Sequence, residues 1–300
     1  MRDIVFFYPG RSFPAVSITG RECRLGCDHC RGRYLRGMIP APDPDGLVHL
    51  ARELERRGAE GMLISGGHDD RGRLPLDRFT GAIARVKEET DLLINLHTGF
   101  LGRGTASDLV AAGVDAFSLD LVQDPGVIQG LMHLDAGKED YRDLLETLES
   151  AGARAVPHLC VGLPGSTPAG EGEAVALASD FPVSGLILLG FLPTPGTPWE
   201  GAGPPPRGRL ISALSQGLDL LDVPVMLGCM RSRADRALER EFISSGGSGI
   251  AVPSGEVLEW AQGRHRVTAR RVCCALNGIW PSRRTSSGEA RDRTASRRGR

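Results

Sequence analysis

The sequence predicts an α/β fold, a closed (β/α)8 barrel of the TIM type, and three observations carry that expectation. Short apolar runs recur along the chain, each is followed by an amphipathic stretch of helical period, and eight such pairs fit within about 250 residues. Strands that are apolar almost throughout indicate a parallel sheet covered on both faces. An open doubly wound sheet shares this local pattern, because periodicity does not report closure.

The strand-like runs lie at residues 15–19, 61–65, 92–97, 116–122, 153–163, 185–192, 224–230 and 249–253. The helical patterns that follow them fall near 45–57, 76–89, 105–112, 138–151, 172–179, 209–221, 233–244 and 254–263. Together they make one domain over residues 1–278. Between Pro281 and Arg300, seven arginines face only Glu289 and Asp292, with no large apolar residue. Such a segment cannot bury enough surface to offset its ordering entropy, so 279–300 is expected to be a disordered, Arg-rich tail.

Lys plus Arg number 36 against 37 Asp plus Glu, a balance that gives no reason to expect a nucleic-acid partner. No run approaches the roughly 18 apolar residues of a membrane span. The early run at 4–7 is too short for a secretory signal, so a cytoplasmic protein without a membrane partner is expected. Seven cysteines, an odd number in a reducing compartment, favour metal binding or catalysis over disulfides.

In either α/β topology ligands sit beyond the carboxyl ends of the strands. The residues with chemistry crowd there. Cys23, Cys27 and Cys30 follow the first strand, Gly66-Gly67-His68 the second and His97-Thr98-Gly99 the third. Asp120 stands near the end of the fourth strand, Cys160 and Gly162 near the end of the fifth, and Cys229 at the seventh. A run of Pro193-Thr194-Pro195-Gly196-Thr197 follows the sixth, where its prolines stiffen a loop.

The first cluster reads Cys23-Arg-Leu-Gly-Cys27-Asp-His-Cys30, a CxxxCxxC spacing. Thiolates are soft anionic ligands, and three within eight residues can wrap one face of an iron–sulfur cubane and leave the fourth iron open. A zinc site more often shows two CxxC pairs or distant histidines, although His29 offers a nitrogen ligand.

This motif, placed directly after the first strand of an α/β barrel, resembles the radical S-adenosylmethionine (SAM) superfamily. The wider run from Ser17 through Met38 is similar to the biotin-synthase-like branch and, within it, to proteins that include the two-component lipoyl synthases. The resemblance spans about residues 13–276. It implies that Cys23, Cys27 and Cys30 hold a [4Fe–4S] cluster whose open iron chelates SAM, and that one-electron cleavage of SAM yields a 5′-deoxyadenosyl radical. It also implies cofactor contacts at His29, Gly66, Gly67, Ser118, Asp120 and Gly162. His68 or Asp69 stands where a family glutamate is usual. Asn95 and His97 alternate on one strand and so face the barrel interior, as substrate contacts or as satisfied core residues.

Sulfur-inserting members of the superfamily carry a second, sacrificial iron–sulfur cluster. Cys229, Cys273 and Cys274 are candidates to hold one, because the ten residues after Gly263 can span ~33 Å and return to the rim. The competing reading makes Cys229, like Cys160, a buried small hydrophobe and the adjacent pair Cys273-Cys274 a minor thiol site. Arg231, beside Cys229, is a candidate for an anionic substrate group or the cofactor carboxylate, or equally for an ion pair with a neighbouring helix. The resemblance therefore implies a radical SAM sulfurtransferase of lipoyl-synthase type, acting on an octanoylated carrier protein with a ferredoxin- or flavodoxin-type electron donor and a second radical SAM partner. A biotin-synthase-like enzyme acting on a free small molecule is the alternative. A non-catalytic iron–sulfur or zinc scaffold is the alternative of another class.

Overall fold

A computed structural model describes residues 1–278; the tail expected at 279–300 lies outside the described residues. All eight expected strand–helix units are present. The strands are β2 (Ala15–Ser17), β4 (Gly61–Ser65), β5 (Leu93–Thr98), β6 (Ala116–Asp120), β7 (Ala155–Val161), β8 (Leu186–Gly190), β9 (Val225–Leu227) and β10 (Gly249–Ala251). The helices are α1 (Pro44–Arg56), α2 (Thr80–Glu89), α3 (Arg103–Ala111), α4 (Lys138–Ser150), α5 (Pro168–Ser179), α6 (Arg207–Leu220), α7 (Arg236–Ser244) and α8 (Gly255–Gln262). Several begin as their sequences dictate. Asp43 accepts the Gly46 N–H at 2.7 Å ahead of Pro44, and Thr167 accepts that of Gly170 at 3.0 Å ahead of Pro168.

Three strands were not expected: β1 (Asp3–Phe7), the short β3 (Ile39–Pro40) and β11 (Arg266–Arg270). All eleven strands run parallel, in the order β11-β1-β10-β9-β8-β7-β6-β5-β4-β2-β3. The ladder is therefore curled but not closed by hydrogen bonds, with β3 and β11 as its edges. Its curvature follows from chain length. β1 and β2 are eight strand positions apart, about 38 Å in a flat sheet. The chain from Phe7 to Ala15 reaches at most about 28 Å. The sheet must bend back on itself, and Pro9 and Pro14 in that connection have no N–H with which to extend the ladder.

Bending creates two cores. Phe117, Leu119, Leu159 and Val161 point outward under the helices. Their alternates Leu93, Ala116, Val156, Ile187, Met226 and Ala251 form an interior layer with Phe7 and Phe13. The segment after β11 closes this interior from above: Cys274, Ala275 and Leu276 are buried in the same cluster. Because β11 is parallel to β1, its end brings the chain back on the carboxyl side, from which Cys273 and Cys274 turn into the interior.

Candidate functional site

The cysteine loop leaves β2 and folds onto the end of β4. The backbone N–H groups of Arg24 and Leu25 donate to the His68 carbonyl at 2.8 and 3.3 Å, and the Gly67 N–H donates to Thr19 Oγ1 at 2.7 Å. Gly67 must be glycine, since a Cβ there would lie 2.0 Å from the Glu22 carbonyl and 2.6 Å from Cys23 Cα. Gly66 is less confined, with Leu74 and Thr19 side-chain atoms at 3.0 Å. Cys30 N donates to the Cys27 carbonyl, making a tight turn that gathers the ligands. The ligand atoms of Cys27, His29 and Cys30 lie within 4.8 Å of one another. Cys23 stands outside that closest group, and its charge still acts on Cys27.

Such crowding suits a shared metal centre. Hydrogen bonding to Cys30 and burial raise the Cys27 thiol, while hydrogen bonding from Cys27 lowers Cys30 to about 4. His29 Nδ1 is buried without a protein partner. The paired thiols of Cys27 and Cys30, with Cys23 on the same loop, fit a [4Fe–4S] cluster held by Cys23, Cys27 and Cys30. The turn after β8 covers the far side of the loop: Tyr34 shares a hydrogen bond with Thr194 at 2.9 Å, and Arg33 donates to the Gly196 carbonyl at 3.2 Å.

Beyond the loop, interior positions at the ends of β5, β6 and β7 are polar. His97 Nε2 stands 3.6 Å from Asp120 Oδ1, and the His97 and His158 rings are 5.3 Å apart. Burial opposes charge on Asp120, yet His97 outweighs it and holds the carboxyl well below its ordinary range. The same contact raises His97 against the effect of burial. Burial and His97 push His158 down to about 4, so it is neutral, and they lower His68 as well. His158 Nδ1 faces the Val156 carbonyl at 3.0 Å, which leaves Nε2 as the outward acceptor.

Level with His97, Ser118 donates to Oδ1 of Asn95 one layer deeper, at 2.9 Å, and Asn95 Nδ2 lies 3.5 Å from Cys273 Sγ. Cys273 is lowered to about 7 by hydrogen bonding with Cys274, and Cys229 lies near enough to act on Cys274 electrostatically. Cys273 and Cys274 thus sit in the interior below the histidines, while Cys229 is exposed at the rim within electrostatic reach of them. Their ligand atoms do not reach the mutual spacing of the Cys27 group.

Several expectations change. Ser118 is fully buried and spends its hydroxyl on Asn95, so it supports the shelf from beneath and does not reach a bound cofactor. Gly162, at φ +79°, has its N–H held by Glu171 at 2.7 Å and would meet Pro205 with a Cβ, so its need for glycine comes from the protein itself. Arg231 is 2% exposed and cannot meet a substrate anion. Its guanidinium donates to the Gly228, Ala251 and Val252 carbonyls and to Glu239, pinning β9 and β10 to α7. His158, Tyr34 and Thr194 were not read as site residues. Alternation with Val156 and Cys160 marks His158 as interior; nothing in the sequence pairs Tyr34 with Thr194.

Residues 17–177, more than half of the chain, match the Radical SAM superfamily. The chain belongs to the radical SAM superfamily. Among curated relatives of this radical SAM protein, biotin synthase from Geotalea daltonii is 28% identical over 199 residues, covering 62% of this chain and 58% of the relative. Biotin synthase from Halorhodospira halophila is 28% identical over 209 residues, covering 66% and 62%. The chain thus spans less than two-thirds of the length of these relatives. Methylornithine synthase superimposes with a TM-score of 0.59 at 16% identity, over 83% of this chain and 72% of that one. The [FeFe]-hydrogenase maturase HydG from Carboxydothermus hydrogenoformans gives 0.57 at 16%, over 83% and 58%. These structural likenesses establish a shared fold. No helix among the described residues is long and apolar enough to cross a membrane.

Proposed function

We propose that this radical SAM protein inserts sulfur at an unactivated C–H carbon of an aliphatic substrate, with residues 1–278 as its catalytic domain. The observation that carries the reading is the packing of Cys273 and Cys274 in the interior with Cys229 on the rim within electrostatic reach of them, on the same barrel end as Cys23, Cys27 and Cys30. When bound, the [4Fe–4S] cluster and SAM supply a one-electron cleavage that produces the hydrogen-abstracting radical. The three loop thiolates hold that centre, Gly67 lets their loop lie against β4, and Tyr34 with Thr194 closes its flank. Gly66, Gly67, His29 and Asp120 would form the shelf for the cofactor. His97 and His158, with rings 5.3 Å apart at the interior ends of β5 and β7, would line the space for the reacting carbon. Cys229, Cys273 and Cys274 would hold a second iron–sulfur cluster as the sulfur source, with Asn95 Nδ2 held 3.5 Å from Cys273 Sγ.

The substrate in this reading is an octanoyl chain on a carrier protein, as in lipoyl synthesis. A ferredoxin- or flavodoxin-type donor and a second radical SAM protein act as partners, in the cytoplasm. The names of the curated relatives favour a second reading, sulfur insertion into a free small molecule. Octanoylated carrier and free small-molecule acids, each incubated with reconstituted protein, SAM and dithionite, test both. The proposal expects 5′-deoxyadenosine together with a thiolated product, and Cys229→Ala that keeps the first and loses the second. Equal thiolation by Cys229→Ala overturns it.

A further inference from the structure

The segment after β6 contains a feature that the chemistry above does not use. Residues 126–131 form a single turn of π-helix, a rare geometry often found at functional sites. The turn is fixed at its start: Asp124 accepts the Gly126 N–H at 3.0 Å, and both the N–H and hydroxyl of Thr167 at 3.0 Å. Its far end crosses the cysteine loop. Asp28 N donates to the Leu131 carbonyl at 2.9 Å, and Cys27 Sγ lies 3.7 Å from the Met132 carbonyl. His133 then places Nε2 3.3 Å from Asp28 Oδ2.

His133 does this from a backbone that suits it poorly. Its φ is +58°, in the left-handed region that non-glycine residues seldom occupy. Strain of this kind persists only where surrounding structure enforces it, and here it turns the imidazole toward the loop. Asp28 sits between Cys27 and His29 and also faces Arg31 at 3.7 Å, a residue itself at φ +44°. Two strained residues therefore hold the one carboxylate within the cysteine motif.

We infer that His133 is a positioning residue for the cysteine loop, acting through Asp28 to keep the loop in the conformation that retains the cluster. This rests on the cluster occupying Cys23, Cys27 and Cys30. It does not depend on sulfur insertion. The strap adds a second anchor to the one at β4, so the loop is gripped from both sides.

The test compares His133→Ala, His133→Gly and His133→Asn in anaerobically reconstituted protein, reading iron release to a chelator and the electron paramagnetic resonance (EPR) spectrum of the reduced cluster. Glycine relieves the backbone but lacks the contact; asparagine tolerates positive φ and can still donate to Asp28. Alanine and glycine are expected to release iron roughly two- to fivefold faster, the range of a single partly exposed polar contact, with altered EPR line shape. Asparagine is expected to stay near the wild-type rate. Melting of the apo proteins separates loop positioning from global loss of fold. Wild-type release and spectrum in the alanine and glycine variants overturn the inference, as does release in His133→Asn as fast as in His133→Ala. Neither readout involves product, so a failure of the sulfur-insertion reading leaves the result interpretable.

Discussion

Replacing Gly67 by alanine tests how tightly the cysteine loop is seated. The added methyl would stand 2.0 Å from the Glu22 carbonyl oxygen and 2.6 Å from Cys23 Cα and Cβ. A relaxed carbon–oxygen contact is about 3.3 Å, so either the end of β4 or residues 22–23 must move by roughly 1.3 Å. Both neighbours are backbone, which leaves no flexible end to yield. Overpacking of this kind costs about 1–3 kcal/mol, and this site belongs at the upper end. At Gly66 the nearest atoms are the Leu74 and Thr19 side chains at 3.0 Å, which can give by a few tenths of an ångström. Gly66→Ala should therefore cost less than about 1 kcal/mol. Urea unfolding of the apo proteins measures the cost, and iron per chain after reconstitution measures its consequence for Cys23. Gly67→Ala is expected to lose both stability and most of its iron, with Gly66→Ala close to wild type in both. A fully stable, fully loaded Gly67→Ala would refute the packing argument.

Arg231→Met removes the partner of a buried carboxylate, Glu239, and should destabilise the fold by about 3–5 kcal/mol in urea unfolding, partly recovered by adding Glu239→Gln. Loss of activity at unchanged stability would return Arg231 to the site. The His158 value of about 4 lies below the ordinary 6.5, so as pH falls the unfolded chain takes up its proton first. Its contribution to stability is full above pH 6.5 and is lost on descent toward pH 4, amounting to at most about 3 kcal/mol. His158→Gln should flatten the stability profile in that window; an unchanged slope would show that His158 is already protonated in the fold.

The eight strand–helix units were legible because each buried strand is a nearly unbroken apolar run. The edge strand β11 was not, since Arg266-Val-Thr-Ala-Arg270 lies half-exposed and lacks such a run. β1 has the run, Ile4 to Phe7, but no helix follows it, so it did not fit the repeat. Openness of the ladder was equally hidden, because hydrogen-bond closure has no periodic signature. Within the site, the cysteine spacing and the rim position of His97 and Asp120 could be read directly. For Arg231 the sequence left the site and a helix ion pair equally open, since its neighbour Cys229 lies on the rim; only the fold shows the chain turning inward two residues on to meet Glu239. The strap over Asp28 arises from residues more than 100 positions away, a pairing that only the folded chain displays.

The account rests on two separate sets of cysteine ligands, and iron and sulfide analysis of the triple variant Cys23→Ala, Cys27→Ala, Cys30→Ala tests it most directly. After anaerobic reconstitution, iron and inorganic sulfide should remain bound and should disappear when Cys229, Cys273 and Cys274 are also replaced. A triple variant that retains the fold and holds no iron would contradict the second centre and, with it, sulfur insertion.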